Sequence, residues 1–91
     1  MPKTLNCLVS GRVQGVNFRS WTKRQADSYG VTGWVRNLPD GRVEVEVQGE
    51  DQVLDAFREQ LYQGPPASRV DNLECEWSDQ DKVYKSFEVT F

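Results

Sequence analysis

The chain has 91 residues, 37% hydrophobic and 27% charged, with a formal net charge of −3, the profile of one ordinary globular domain over residues 1–91. An acidic balance speaks against nucleic acid or an anionic membrane surface as a partner, since both select basic chains, and no apolar run reaches the roughly 18 residues a membrane span requires. Histidine is absent, which removes imidazole general-base chemistry, phosphohistidine and histidine metal ligation together.

Met1-Pro2-Lys3-Thr4 lacks the apolar stretch of a secretory signal, so a cytoplasmic location is expected. The two cysteines, Cys7 and Cys75, form no close pair that would seed a zinc site. In a cytoplasmic chain they are expected to be reduced thiols that fill the core, although the first and fourth strands are neighbours in the strand order expected below, so that a disulfide between them is geometrically conceivable.

Leu5, Cys7 and Val9 alternate with polar neighbours, the period of a strand, which Gly11 ends. A short loop with two glycines leads to Asn17. Phe18, Thr22, Ala26 and Tyr29 then recur at helical spacing and Gly30 follows as a terminating residue, so a helix is predicted over 18–29. Val31 to Leu38 reads as a second strand. Pro39-Asp40-Gly41 is a turn, with proline presetting φ and glycine supplying positive φ. Val43, Val45 and Val47 alternate with Glu44, Glu46 and Gln48, a half-buried hairpin strand whose glutamates are expected on a solvated face.

Glu50 and Asp51 favour a helix start. Val53, Leu54, Phe57 and Leu61 give that helix a buried stripe, and Gly64-Pro65-Pro66 stops it. Arg69 to Trp77 is a fourth strand, with Leu73, Cys75 and Trp77 expected to face inward. Ser78 to Lys82 is a polar loop, and Phe87, Val89 and Phe91 mark a last short strand. The order βαββαβ with one strand appended predicts an α+β, ferredoxin-like sandwich, two helices on one face of an antiparallel sheet. That arrangement hosts many functions and decides none.

The stretch with chemical content is Gly11-Arg12-Val13-Gln14-Gly15-Val16-Asn17-Phe18-Arg19. It joins a strand end to a helix start, where unpaired N–H groups and the helix dipole favour an anion. Gly15 lets the backbone curl into an amide nest. Arg19 sits in the first helical turn, where a cation opposes the dipole unless an anion lies beside it. Arg12, Lys23 and Arg24 add to a local cationic patch on an acidic body, which suits a small anion. No Gly-Lys-Ser/Thr follows the second glycine, so this is not a Walker A loop. Cys7 precedes Arg12 by one residue too few for a thiol phosphatase, and it lies mid-strand without a cation to lower its pKa.

The same stretch resembles the signature loop of the acylphosphatases. Gly33-Trp34-Val35-Arg36-Asn37 followed by Asp40-Gly41-Arg42-Val43-Glu44 resembles their second signature, and the Gly64-Pro65 break before the fourth strand is also similar. The likeness runs in order along essentially the whole chain. It implies hydrolysis of the carboxyl–phosphate bond of acyl phosphates to a carboxylate and inorganic phosphate, in a ferredoxin-like fold, with no metal, cofactor or phosphoenzyme; the sequence does not specify an oligomeric state, and monomer is the default.

By resemblance, Arg19 binds the phosphoryl group with loop amides of Gln14, Gly15, Val16, Asn17, Phe18 and Arg19, and Asn37 positions the attacking water. The terminal carboxylate of Phe91 is implied to help orient Arg19. Inorganic phosphate or sulfate is the expected product-like ligand. Many bacterial members carry glycine where this chain has Asn17; asparagine enters the left-handed region more readily than most residues and is a favoured N-cap.

The chemistry suits these residues. A carboxylate leaves readily, and phosphoryl transfer needs mainly positioning and charge stabilisation, which backbone amides and one bidentate arginine supply. Two other readings are an anion-sensing module and an RNA-binding ferredoxin-like domain. The first needs no water-positioning Asn37; the second needs a basic face with exposed aromatics on the central strands, where this chain has Glu44 and Glu46.

Overall fold

The structure is a computed structural model that describes residues 3–78 and 82–91; the expected polar loop of 78–82 therefore lies partly outside the described residues. The elements are β1 (Lys3–Arg12), α1 (Phe18–Tyr29), β2 (Thr32–Asn37), β3 (Val43–Gly49), α2 (Asp51–Gln63), β4 (Arg69–Ser78) and β5 (Phe87–Val89). The strands form one sheet in the order β4-β1-β3-β2-β5.

Alternation along the strands decides which face is covered. Leu5, Cys7, Val9, Val43, Val45, Val47 and Val35 are each 1% exposed or less, and they share the face that the helices cover. Phe18, Thr22 and Ala26 come down on it from α1, and Leu54, Phe57 and Leu61 from α2. Gly30 closes α1 in a left-handed conformation, its N–H reaching the carbonyls of Ala26 and Asp27.

Four corrections to the expectations concern the sheet. It is mixed rather than antiparallel: β5 runs parallel to β2, pairing Gly33 with Phe87 and Val35 with Val89. That strand stops at Val89, and Phe91 lies outside it, 96% exposed. The inward residues of β4 are only partly covered, because β4 is an edge strand. Leu73 and Cys75 are half-buried, while Trp77 stays 49% exposed under the Lys3 ammonium. Glu44 and Glu46 are not simply solvated. Glu46 is buried and Glu44 mostly covered, because Asn6 donates to both, Arg36 pairs with Glu44 and the Tyr84 hydroxyl donates to Glu46.

A fifth correction is chemical. Cys7 and Cys75 stand directly opposite each other in the β1–β4 ladder, with Cα atoms 4.1 Å apart, and are joined as a disulfide. The expectation of free thiols rested on compartment, whereas strand register brings the two sulfurs together.

Near its end β1 carries an irregularity between Ser10 and Gly11 in its pairing with β4. A Cβ at Gly11 would lie 2.2 Å from the Arg69 carbonyl oxygen, so only glycine allows the two backbones this close. The bend redirects the chain into the loop that precedes α1.

Candidate active site

β1 and β2 each run antiparallel to β3, so they are parallel to one another and end at the same edge of the sheet. The loop after β1 and Asn37, the last residue of β2, therefore meet there. Val13 and Phe18, 1% and 2% exposed, pin the two ends of the loop into the core, and the Phe18 ring also lies 5.5 Å from that of Trp21.

Between these anchors Gly15 has φ 75° and Asn17 φ 63°, with Val16 between them at negative φ. Alternation of this kind turns successive N–H groups toward a common point, the geometry of an anion nest. A non-glycine residue in this region costs about 1 kcal/mol or more, least for asparagine. Asn17 does not cap α1 through its side chain. An N-cap side chain needs extended backbone at that residue, and Asn17 is left-handed. Its carbonyl accepts the Trp21 N–H at 2.9 Å, while the first N–H groups of α1 have no helical acceptor. No acidic residue lies in that turn.

Arg19 is half-buried. Its Nη1 donates to the Thr90 carbonyl at 3.2 Å, and its guanidinium lies 4.8 Å from the centre of the Phe91 ring. Arg19 is thus held by the backbone that follows β5, with the Phe91 ring beside it. Of the other early cations, Lys23 is committed to the Phe87 carbonyl at 2.9 Å and to Asp27.

Asn37 is half-buried. Its carboxamide oxygen is shut off from solvent without a hydrogen-bond donor, one of two such side-chain atoms among the described residues. A buried acceptor left unpaired costs about 1–3 kcal/mol, a cost that structural asparagines avoid.

Gln14 does something the sequence did not suggest. Its Nε2 donates to the carbonyls of Leu38 (2.8 Å) and Arg42 (2.9 Å), tying the loop to the turn that follows Asn37. That turn is closed by Leu38 N–H to Arg42 O at 2.8 Å. Asp40 accepts from the Arg42 backbone N–H and from its Nε. The Arg42 side-chain hydrogen bond holds the Asp40 carboxyl below the usual carboxylate range, and Asp40 in turn raises the pKa of Arg42.

A pocket of about 350 Å³ opens between these parts. Of the expected site residues, Gly15, Asn17, Phe18, Arg19 and Asn37 line it; Gln14 and Val16 belong to its loop but do not reach its wall. Val13, Ser20, Val89 and Phe91 also line it; of these only Phe91 had been connected with the site, through its carboxylate. Val89 and Phe91 arrive only because β5 joins the sheet beside β2, a pairing without local sequence signal. Among the described residues no cluster of three or more Cys, Asp or Glu is placed to hold a metal, and no helix is long and apolar enough to cross a membrane. One cation, converging amides and the Asn37 side chain on the same pocket wall can hold a tetrahedral anion and orient a water against it.

Comparison with known proteins bears on this site. The sequence model of the acylphosphatase family matches residues 5–89. An acylphosphatase of Chromohalobacter salexigens is 54% identical over 87 residues, spanning 96% of both chains. One of Anaeromyxobacter dehalogenans is 51% identical over 84 residues, spanning 92% of this chain and 90% of that one. The crystal structure of an acylphosphatase from Bacillus subtilis superposes with a TM-score of 0.94 over 100% of both chains at 34% identity.

Proposed function

The chain belongs to the acylphosphatase family, and from that membership we propose that its reaction takes place in the pocket between Arg19 and Asn37. The reaction is the hydrolysis of the carboxyl–phosphate bond of an acyl phosphate to a carboxylate and inorganic phosphate. The observation that carries the site assignment is the convergence of Arg19, Asn37 and the left-handed pair Gly15 and Asn17 on the wall of one pocket.

The phosphoryl group rests on the N–H groups of residues 14–19 and on the guanidinium of Arg19. Arginine's planar fork meets two phosphoryl oxygens at once. Asn37 orients a water through its carboxamide. The water oxygen bonds to phosphorus as the bond from phosphorus to the acyl oxygen breaks, and the carboxylate departs with that electron pair. A carboxylate needs no proton to leave, so no general acid is required. Charge is stabilised by groups already in place before the reaction begins.

Turnover of benzoyl phosphate tests the reading. Activity is expected to persist in excess EDTA, with inorganic phosphate and sulfate inhibiting competitively. Loss of activity on chelation, restored by magnesium or zinc, overturns this mechanism.

A further inference from the structure

The disulfide between Cys7 and Cys75 is chemically lopsided. Cys7 is 0% exposed on β1, and its partner on the far side, Val45 of β3, is equally buried. Cys75 is half-buried on β4, beyond which the sheet has no strand. Off this edge lies a pocket of about 390 Å³ between α2 and β4, lined by Arg58, Glu59, Tyr62 and Leu73 together with Cys75 itself.

A thiolate breaks a disulfide by attacking one sulfur in line with the S–S bond, the other sulfur leaving as thiolate. Cys7 is fully enclosed, with buried Val45 beyond it, so its sulfur offers no approach. Cys75 lines the pocket at the β4 edge and is the sulfur open to an incoming thiolate. We propose that Cys75 is a modification site for small-molecule thiols, with this pocket as the entry and Cys7 as the obligatory leaving group. The incoming thiolate sulfur bonds to Cys75 Sγ, the Cys7–Cys75 bond breaks, and its electron pair stays on Cys7. A second thiolate attacking the sulfur of the adduct releases the small-molecule disulfide and leaves both cysteines reduced. The site is separate from the acyl phosphate pocket, which shares none of these residues.

The test uses the full chain purified without reductant. It is treated briefly with glutathione, quenched in acid, alkylated and digested with trypsin, which places Cys7 and Cys75 in different peptides. Glutathione is expected on the Cys75 peptide and the alkyl group on the Cys7 peptide, with at least about a tenfold preference. Equal distribution, or adduct mainly on Cys7, overturns the proposal, as does a protein that carries two free thiols before treatment. Single-cysteine variants give an independent reading. In native buffer Cys7→Ser, which leaves Cys75, is expected to react with an aromatic disulfide at least about a hundredfold faster than Cys75→Ser, which leaves Cys7. Equal rates in native buffer, with both variants shown to be folded by circular dichroism, count against it.

Discussion

Two polar clusters flank the sheet, and they treat their hydrogen bonds in opposite ways. On the face away from the helices, Asn6 donates to Glu44 (3.0 Å) and Glu46 (3.2 Å). Arg36 reaches Glu44 at 2.7 Å, and the Trp34 indole donates to the Tyr84 hydroxyl, which donates to Glu46. Each donor there meets an acceptor supplied by the chain. At the sheet edge beside α1, Asn37 keeps a buried oxygen unpaired, Asn17 holds a left-handed backbone, and a helix N-terminus faces a cation. Buried polar groups are normally satisfied, so exceptions need a reason. The first cluster is closed on itself and serves the fold. The second leaves the N–H groups at the start of α1 and the Arg19 guanidinium beside a pocket, open to something that is not part of the chain.

If that contrast is right, substitutions in the open cluster remove activity and spare stability. Arg19→Ala is expected to have the largest effect, about 10³-fold or more in kcat/KM, with inorganic phosphate inhibition weakened in parallel. Arg19→Lys is expected to be nearly as poor, because charge is kept but the bidentate fork is lost. An Arg19→Lys enzyme within a few-fold of the parent would show that charge alone suffices. Next comes Asn37→Ala, expected to lower kcat about 10²- to 10³-fold, or roughly 3–4 kcal/mol. KM and phosphate inhibition stay nearly unchanged, the mark of an interaction made only in the transition state. Asn37→Asp is expected to be poor as well, since a carboxylate repels the anionic substrate. If Asn37→Ala lost phosphate affinity and kept its kcat, the water-positioning role would have to be abandoned.

Local signals in the sequence delivered the elements closely: α1 spans Phe18–Tyr29 as its apolar spacing and Gly30 required. The loop was legible as a candidate anion site, because glycines at a strand–helix junction have a local cause, whereas Asn37 entered only through the resemblance to the acylphosphatase signature. What was not legible depended on pairing between distant segments. The parallel seat of β5 brings Val89 and Phe91 to the pocket and Thr90 to Arg19, yet strand partners leave no trace in a three-residue strand. The register that sets Cys7 against Cys75 is equally non-local. Glu46 looked solvated because alternation shows which face a residue takes, and not whether a neighbouring strand supplies an amide to cover it.

The bridge between loop and turn sharpens the comparison at intermediate cost. Gln14 Nε2 holds two carbonyls on the turn that follows Asn37. Gln14→Met removes the donor at similar size and adds no charge. Misplacement of a catalytic group by about an ångström costs up to about 10²-fold, so kcat should fall by about 10- to 10²-fold. Phosphate inhibition should hold, because the loop amides themselves are untouched and no carboxylate is introduced. A Gln14→Met enzyme whose phosphate affinity fell while kcat held would place Gln14 in anion binding instead.

The smallest effect on activity belongs to the closed cluster, and it is the converse of the others. Asn6→Ala takes away the one amide that donates to both Glu44 and Glu46. Two carboxylates on the same face of β3 then keep Arg36 and the Tyr84 hydroxyl but lose the group between them. Loss of a hydrogen-bonded donor to partly buried charged acceptors costs about 1–3 kcal/mol, visible as a lowered Tm and urea midpoint. Asn6→Asp is expected to be worse, because it sets a third carboxylate beside the other two. The site edge lies at the far end of β1 from Asn6. Turnover of folded Asn6→Ala, measured well below its Tm, is therefore expected to match the parent within about twofold, as sites without shared partners act independently. A large fall in kcat in the folded variant would mean that the open face communicates with the pocket through β3 and β2, and the division between a cluster that folds the chain and a cluster that works would fail.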